Sequence, residues 1–392
     1  MTLRTLVVFG TRPEAIKVAP VIAELRARRD SEIFVCATAQ HREMLDQVLR
    51  IFGVVPDRDL NVMRADQSLD DVTASVLEGV TDVIDDWRPD VLLVQGDTAS
   101  AMAAALAAFY RRVPVGHIEA GLRTGIRTSP FPEEMARRIV TQIAELHFAP
   151  TRRSAENLVR EHADVEGHVF LTGNTVVDAV RQIADRLAAN PPVERRAERL
   201  LLVTAHRREN FGEPIRSICR ALRAIVERHD DVEIVYPVHL NPNVQGPVRE
   251  LLGGHERIQL VPPVDYEALV GLMRQAYLVL TDSGGLQEEA PVLGKPVLVL
   301  RRDTERPEAI EAGTAILVGT DEAAIVRSVE QLLRDRAAYA RMAQARSPFG
   351  DGHAAERIAD ALLAWKHDPS ALARLRWDGT SELVPYVTHA AL

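Results

Sequence analysis

The sequence predicts an α/β protein of two domains, each a parallel sheet with helices on both faces. Three observations predict it. Short apolar runs alternate with amphipathic helical stretches along the chain. The scheme runs through once and starts again near residue 200. At 392 residues the chain is too long for a single hydrophobic core. Strands that are apolar throughout, with helices between them, suit a sheet buried on both faces.

The first half opens with a strand over 5–9, a loop Gly10-Thr11-Arg12-Pro13-Glu14 and a helix over 13–29. Pro13 fits the first helical turn, where its missing N–H costs nothing. Further strands are expected at 33–37, 91–94, 115–118, 146–149 and 169–171. Helices are expected over 43–52, 68–87 and 99–111. In the second half the strands fall at 200–204, 233–237, 259–261, 278–281, 297–300 and 315–318. Helices over 214–228 and 265–276 connect them. Residues 190–200 are rich in Pro and Arg and read as an interdomain connector. A last amphipathic helix covers 354–365, followed by DPSALARLRW and a tail from about Trp377 that has no functional reading. The domains are placed at 1–172 and 173–357, with 358–392 as C-terminal helix and tail.

Net charge is −9 and the isoelectric point about 5.8. Nucleic acid and anionic membranes both require a basic face, so neither is an expected partner. An anionic ligand must be drawn by local cations. Cys36 and Cys219 are scattered and have no metal-ligand neighbours, so neither a disulfide framework nor a zinc site is expected. The chain enters a strand by Thr5, leaving no room for a signal peptide, and no apolar run reaches membrane-spanning length. The expected address is the cytoplasm.

Residues 278–300, LVLTDSGGLQEEAPVLGKPVLVL, read as strand, tight turn, helix and strand. A helix N-terminus presents unpaired N–H groups and a positive dipole end, which hold an anion. Gly284 and Gly285 carry no Cβ to block a phosphate. A carboxylate one turn in suits the two hydroxyls of a ribose. The stretch is therefore suited to a nucleoside diphosphate; the bland alternative is an ordinary βα turn with a surface Glu pair. Near the N-terminus, Arg12 and Lys17 project at the C-terminal edge of the first strand, where open α/β sheets bind ligands.

Acids also sit at strand ends. Asp97 follows VLLVQG, Glu119 follows VPVGHI, and Glu133 follows the SPFP turn. Gathered together, they repel, which raises at least one pKa and suits acid–base work. The structural alternatives are Asp97 as a helix N-cap and Glu133 as a first-turn acid.

These stretches, with VQGDTAS (94–100), GHIEAGLRTG (116–125), SPFPEEMARR (129–138), TGNTVVD (172–178), TAHRRENFG (204–212), YPVHLNPNV (236–244) and ERPEAIEAGT (305–314), resemble the non-hydrolysing UDP-N-acetylglucosamine 2-epimerases over about residues 3–365. The resemblance implies two Rossmann-like domains facing across a cleft, the GT-B type, with the C-terminal helix crossing back to the first domain. It implies a cytoplasmic homodimer of nucleotide-sugar metabolism that serves cell-surface polysaccharide synthesis. The substrate pair would be UDP-GlcNAc and UDP-ManNAc. Asp97, Glu119, Glu133 and His206 match catalytic motif positions. Arg12, Lys17, Arg207, Ser283, Gly284, Gly285, Glu289 and Arg306 match substrate or UDP contacts. Gln40, His41, Arg207 and His239 match a second, activating UDP-GlcNAc site. Glu43 and Asp66 stand where family members often carry Gln and Arg, which argues for weak activation.

Carbon 2 of the sugar carries a weakly acidic proton, with no ketone beside it. Redox activation would need a bound nicotinamide, but GTRPEA replaces GxGxxG after the first strand. The other route expels UDP from carbon 1 as the proton leaves carbon 2, then re-adds UDP after the proton returns on the opposite face. That route needs phosphate-binding cations and at least two proton-transfer groups, and no cofactor or metal. Alternatives are a 2-epimerase for a related UDP-acetamido sugar, a hydrolysing 2-epimerase, a GT-B glycosyltransferase with a UDP-sugar donor, and a UDP-sugar sensor. Four proton-transfer groups together favour the epimerase.

Overall fold

The computed structural model describes residues 2–39, 42–64, 67–161, 168–187 and 197–379, with the side chains of Arg42 and Glu43 excepted. Contacts divide the chain into two compact units. One comprises residues up to Ala179 together with those from Phe349 on; the other is Val180–Pro348.

Among the described residues the first unit holds a seven-stranded sheet in the order β3-β2-β1-β4-β5-β6-β7. The strands are β1 Leu3–Phe9, β2 Ser31–Ala37, β3 Arg58–Asp59, β4 Val91–Gln95, β5 Val115–Ile118, β6 Leu146–Ala149 and β7 His168–Leu171. All neighbours pair in parallel, with β1 between β2 and β4. The strand sequences are apolar on both faces because helices cover both faces; every residue of β4, β5 and β6 is buried. Helix Leu69–Trp87 starts at a capping box, where Ser68 and Asp71 exchange side-chain and backbone hydrogen bonds. Its Val72, Val76, Val80 and Val83 stripe packs on the alanines of helix Ala99–Tyr110.

The second unit repeats the plan with a six-stranded sheet, β10-β9-β8-β11-β12-β13. Its strands are β8 Arg199–Thr204, β9 Val232–Pro237, β10 Ile258–Val261, β11 Leu278–Thr281, β12 Val297–Val299 and β13 Ala315–Leu317. Helix Glu213–Arg228 buries Ile215, Ile218, Leu222 and Ile225 against it. In each sheet the winding reverses between the first and fourth strands, at β1/β4 and at β8/β11. Just beyond the carboxyl ends of such a pair is where doubly wound sheets hold ligands.

The chain returns to the first unit through Phe349, whose carbonyl accepts the Asn174 N–H at 2.6 Å. Helix Ala354–His367 is then capped by Asp178, which accepts from Ala354 N at 3.2 Å and Ala355 N at 2.8 Å. The first unit thus takes in residues 173–179 and 349–357, which the motif-based boundaries had given to the second domain. Trp377 also belongs here: its N–H donates to Val169 O at 2.8 Å, and its ring packs near Ala120, Ala149 and Leu158. Most of the expected connector and the tail beyond residue 379 lie outside the described residues. Cys36 and Cys219 are buried thiols, each pushed up to about 12 by burial. No described helix is long and apolar enough to cross a membrane.

Burial pushes the Asp178 carboxyl up to about 6, against the pull of the two helix N–H groups. The folded protein therefore binds this proton more tightly than the unfolded chain. The stability it contributes is complete below about pH 4 and is lost as pH rises through about 6. Asp178→Asn carries no titrating group there. Relative to wild type, it is expected to gain on the order of 3 kcal/mol between pH 4 and pH 7 in urea unfolding. A difference that stays flat over this range refutes the raised pKa.

Candidate active site

In the first unit three loops meet at the carboxyl ends of β1, β4 and β5. After β1 the chain enters helix Arg12–Ala27, capped by Thr11, with Glu14 at its third position. The buried Glu14 carboxylate accepts from Gly10 N at 3.0 Å, Thr11 N at 2.7 Å and the Thr98 hydroxyl at 2.7 Å. It ties the Arg12 loop to the loop after β4. Gly10 is required by close approach, since a Cβ there would lie 2.1 Å from Thr38 Oγ1.

Asp97 lies in the loop after β4. Thr98, not Asp97, caps the next helix by accepting from Ala101 N, which removes the capping explanation for Asp97. The Asp97 carboxylate is instead held by Arg137, from helix Glu133–Ile143. Burial pushes the Asp97 carboxyl up; Arg137 opposes this and the nearby Glu119 adds to it. His117 fixes the loop from below. Its Nε2 lies 2.7 Å from Gly96 O, and a carbonyl only accepts, so Nε2 carries the proton. Burial holds His117 at about 4, so it stays neutral at ordinary pH.

Glu119 is 8% exposed. One carboxylate oxygen takes Lys17 Nζ and, at 2.9 Å, Asn174 Nδ2; the other takes Gln95 Nε2. Its φ of 64° lies in the left-handed region, rarely adopted by a side chain of this kind and typical of strain held at functional sites. Glu133 is the first residue of its helix, four before Arg137, so the two share a face. Glu133 Oε2 is buried and makes no hydrogen bond among the described residues. The first unit thus gathers Lys17, Asp97 and Glu119 directly, and Glu133 opens the helix that carries Arg137, the partner of Asp97. Arg12 opens the helix that carries Lys17.

In the second unit the loops follow β8, β9 and β11. The wholly buried Asp282 follows β11, and its Oδ2 accepts from His206 N at 2.8 Å, Arg207 N at 2.8 Å and Asn210 Nδ2 at 2.9 Å. Tyr236 donates to Ala205 O at 2.7 Å, bracing the same loop. The His206 ring stacks on His239, with centroids 5.3 Å apart and 13° between planes.

Helix Gly284–Glu289 follows Ser283. The Ser283 N–H donates to Thr281 Oγ1 at 2.9 Å, so the first open helical N–H groups are those of Gly284 and Gly285. A Cβ on Gly284 would lie 3.8 Å from Arg207 Nη2, which places that guanidinium at the turn. A Cβ on Gly285 would lie 2.9 Å from Glu289 Oε1, so the Glu289 carboxylate folds back over the helix start beside the space that Gly285 leaves open. Arg306, expected to face phosphate, donates through Nε to the buried Glu288. Arg301 reaches back to Glu209 at 2.6 Å, joining the loop after β12 to the one after β8.

Sequence reasoning named no role for Gln95, Arg137, Asn174, Glu14 or Asp282. All five do stand inside stretches that the sequence singles out. Of the residues matched to a second nucleotide site, Arg207 and His239 belong to the second unit. Gln40, His41, Asp66 and the Glu43 side chain lie outside the described residues. Among the described residues no group of three or more His, Cys, Asp or Glu is arranged to hold a metal ion.

The family model described as UDP-N-acetylglucosamine 2-epimerase matches residues 23–363. The UDP-N-acetylglucosamine 2-epimerase of Yersinia pestis is 52% identical over 370 residues, 92% of this chain and 98% of that protein. The crystal structure of the UDP-GlcNAc 2-epimerase from Neisseria meningitidis bound to UDP-GlcNAc superposes with a TM-score of 0.84 at 46% identity, covering 92% of this chain and 100% of that one. The Methanocaldococcus jannaschii enzyme in complex with UDP-GlcNAc and UDP gives 0.74 at 32% identity, covering 91% and 98%. A spinosyn rhamnosyltransferase at 19% identity and a TM-score of 0.53 shares the fold alone.

Proposed function

We infer the reaction from a premise the similarity establishes: this chain belongs to the UDP-N-acetylglucosamine 2-epimerase family. It interconverts UDP-GlcNAc and UDP-ManNAc by inverting carbon 2. The observation that carries the mechanism is the carboxylate set at the strand ends of the first unit, with Lys17 and Arg137 among its acids.

The chemistry runs in two halves. A carboxylate takes the proton from carbon 2, the carbon 1–oxygen bond breaks, and its electrons leave with the diphosphate. A 2-acetamidoglucal and UDP remain bound. A second group then delivers a proton to the opposite face of carbon 2 while a diphosphate oxygen re-forms the bond at carbon 1. Asp97, Glu119 and Glu133 are the proton-transfer groups. Burial pushes the Asp97 carboxyl up, while Glu119 is ringed by the donors Lys17, Asn174 and Gln95; two acids in such unlike surroundings suit two opposed proton-transfer roles.

UDP recognition is assigned to the second unit. Gly284 and Gly285 offer backbone N–H groups to the diphosphate, with Ser283 at the turn and Arg207 beside it. Glu289 takes the ribose hydroxyls. On the family resemblance, His206 and Arg306 are assigned to the charge that develops on the leaving diphosphate, and Arg12 and Lys17 to substrate binding. We extend the reading to a homodimer working in the cytoplasm, on the family resemblance.

The test is isotopic. Incubated with UDP-GlcNAc in deuterated water, the enzyme is expected to place deuterium at carbon 2 of the UDP-ManNAc formed, followed by proton NMR. Product that retains its original carbon 2 hydrogen overturns the elimination route. Free N-acetylmannosamine with UDP would identify a hydrolysing enzyme instead.

A further inference from the structure

Asp282 sits one residue before the Ser283-Gly284-Gly285 turn, and the nucleotide reading leaves it without a task. It is a wholly buried acid, and an ion taken out of water is costly unless paired or hydrogen-bonded. Its two oxygens are treated differently. Oδ2 accepts three N–H groups of the loop after β8, from His206, Arg207 and Asn210. Oδ1 makes no hydrogen bond among the described residues and lies 3.7 Å from His206 Nδ1. Anchoring the loop accounts for Oδ2 alone. What Oδ1 faces is the imidazole edge.

The ring is constrained on a second side. His239 stacks on it nearly in parallel and is itself fixed, its Nδ1 accepting the Asn241 N–H at 3.1 Å. One ring face is covered and the Nδ1 edge points at a buried carboxylate, which leaves Nε2 as the outward nitrogen. A carboxylate beside Nδ1 selects the tautomer with its proton there, and it favours the imidazolium once Nε2 also gains a proton. The arrangement has the logic of an acid–imidazole pair, in which the buried acid orients the ring and does not itself transfer the proton.

We propose that Asp282 is a positioning residue that keeps the Nδ1 proton of His206 turned toward itself, so that Nε2, once it too is protonated, is the N–H presented to the leaving diphosphate. This rests on the assignment of His206 to the departing UDP. The same carboxylate anchors the backbone of His206 and Arg207, so one buried group sets both the ring and the loop that carries it. Arg207 alongside acts in the opposite electrostatic sense, limiting how far the pair can favour the cation.

The primary measurement needs no variant. In nitrogen-15 histidine-labelled protein, the His206 ring signals are assigned by their loss in His206→Gln. At alkaline pH the neutral ring is expected to carry its proton on Nδ1. In Asp282→Asn the amide NH₂ facing the ring makes Nδ1 an acceptor, and the proton is expected to move to Nε2. Turnover should fall ~100-fold or more, the scale of a lost acid–base contribution, with KM moving far less than kcat. Asn210→Ala removes one donor of the loop anchor and leaves the Oδ1 edge in place. It is expected to keep the Nδ1–H tautomer and most of the turnover. An Nε2–H tautomer in the wild type overturns the proposal, and so does an Asp282→Asn protein with unchanged tautomer. Full activity in His206→Gln defeats the leaving-group assignment for His206; the tautomer of the wild type then still decides the Asp282 contact.

Discussion

Glu119→Gln is expected to cut turnover at least ~100-fold, the low end for losing general acid–base catalysis, while UDP affinity stays close to wild type. The two readouts separate because the residues concerned are on different units. Glu119 belongs to the first unit, where it receives Lys17, Gln95 and Asn174. UDP recognition is assigned to groups of Val180–Pro348. Gln keeps the shape but cannot accept a proton, and its amide faces donors that then have no anion to meet. Asp97→Asn and Glu133→Gln are expected to lose turnover on the same scale for the same chemical reason. Slow variants should also release a glycal-type sugar and free UDP, because the bound intermediate outlives its reprotonation. Stopped assays read by NMR, with calorimetry for UDP, check all three. Full turnover in the three variants would remove the carboxylates from the mechanism.

Much of this site was legible because its residues sit at strand ends. An apolar strand sandwiched between helices has an unmistakable pattern, so the points where polarity returns, at Gly10, Gly96, Glu119, His206 and Asp282, were visible as loop starts. Doubly wound sheets then place those loops at one edge. The partners of the acids were not legible. Asn174 meets Glu119 from 55 residues away and Arg137 meets Asp97 from 40 away, and no local pattern encodes such pairings. The sequence also left the capping alternative for Asp97 open. Asp97 and Thr98 are both good N-caps, and only the hydrogen bond to Ala101 N assigns the role to Thr98. Arg306 shows the same limit in charge pairing, since no local pattern announced that its Nε would be engaged by Glu288. The domain boundary moved for a physical reason. Asp178 caps the returning helix, which binds residues 173–179 to the first unit although their motif opens the path to the second.

The glycine turn and the acid behind it lead to the second large expected effect. Glu289→Ala should weaken UDP binding by roughly 1.5–3 kcal/mol, the worth of a hydrogen bond to a charged group. Glu289 is 7% exposed, and the missing Cβ of Gly285 leaves room for its Oε1 to return over the first helical turn. A carboxylate so placed is an acceptor, which two vicinal hydroxyls can satisfy and a diphosphate would repel. Glu288, on the same short helix, is a natural control, because its carboxylate is engaged by Arg306. If Glu289 merely favours the helix, removing it should disturb folding and leave the intrinsic affinity of folded protein for UDP intact. If it holds ribose, calorimetry should show weaker binding of UDP, and the loss should vanish when the ligand is 2′,3′-dideoxy-UDP, which has no hydroxyls to offer. Equal affinity of wild type and Glu289→Ala for UDP would reduce Glu289 to a helix-packing residue.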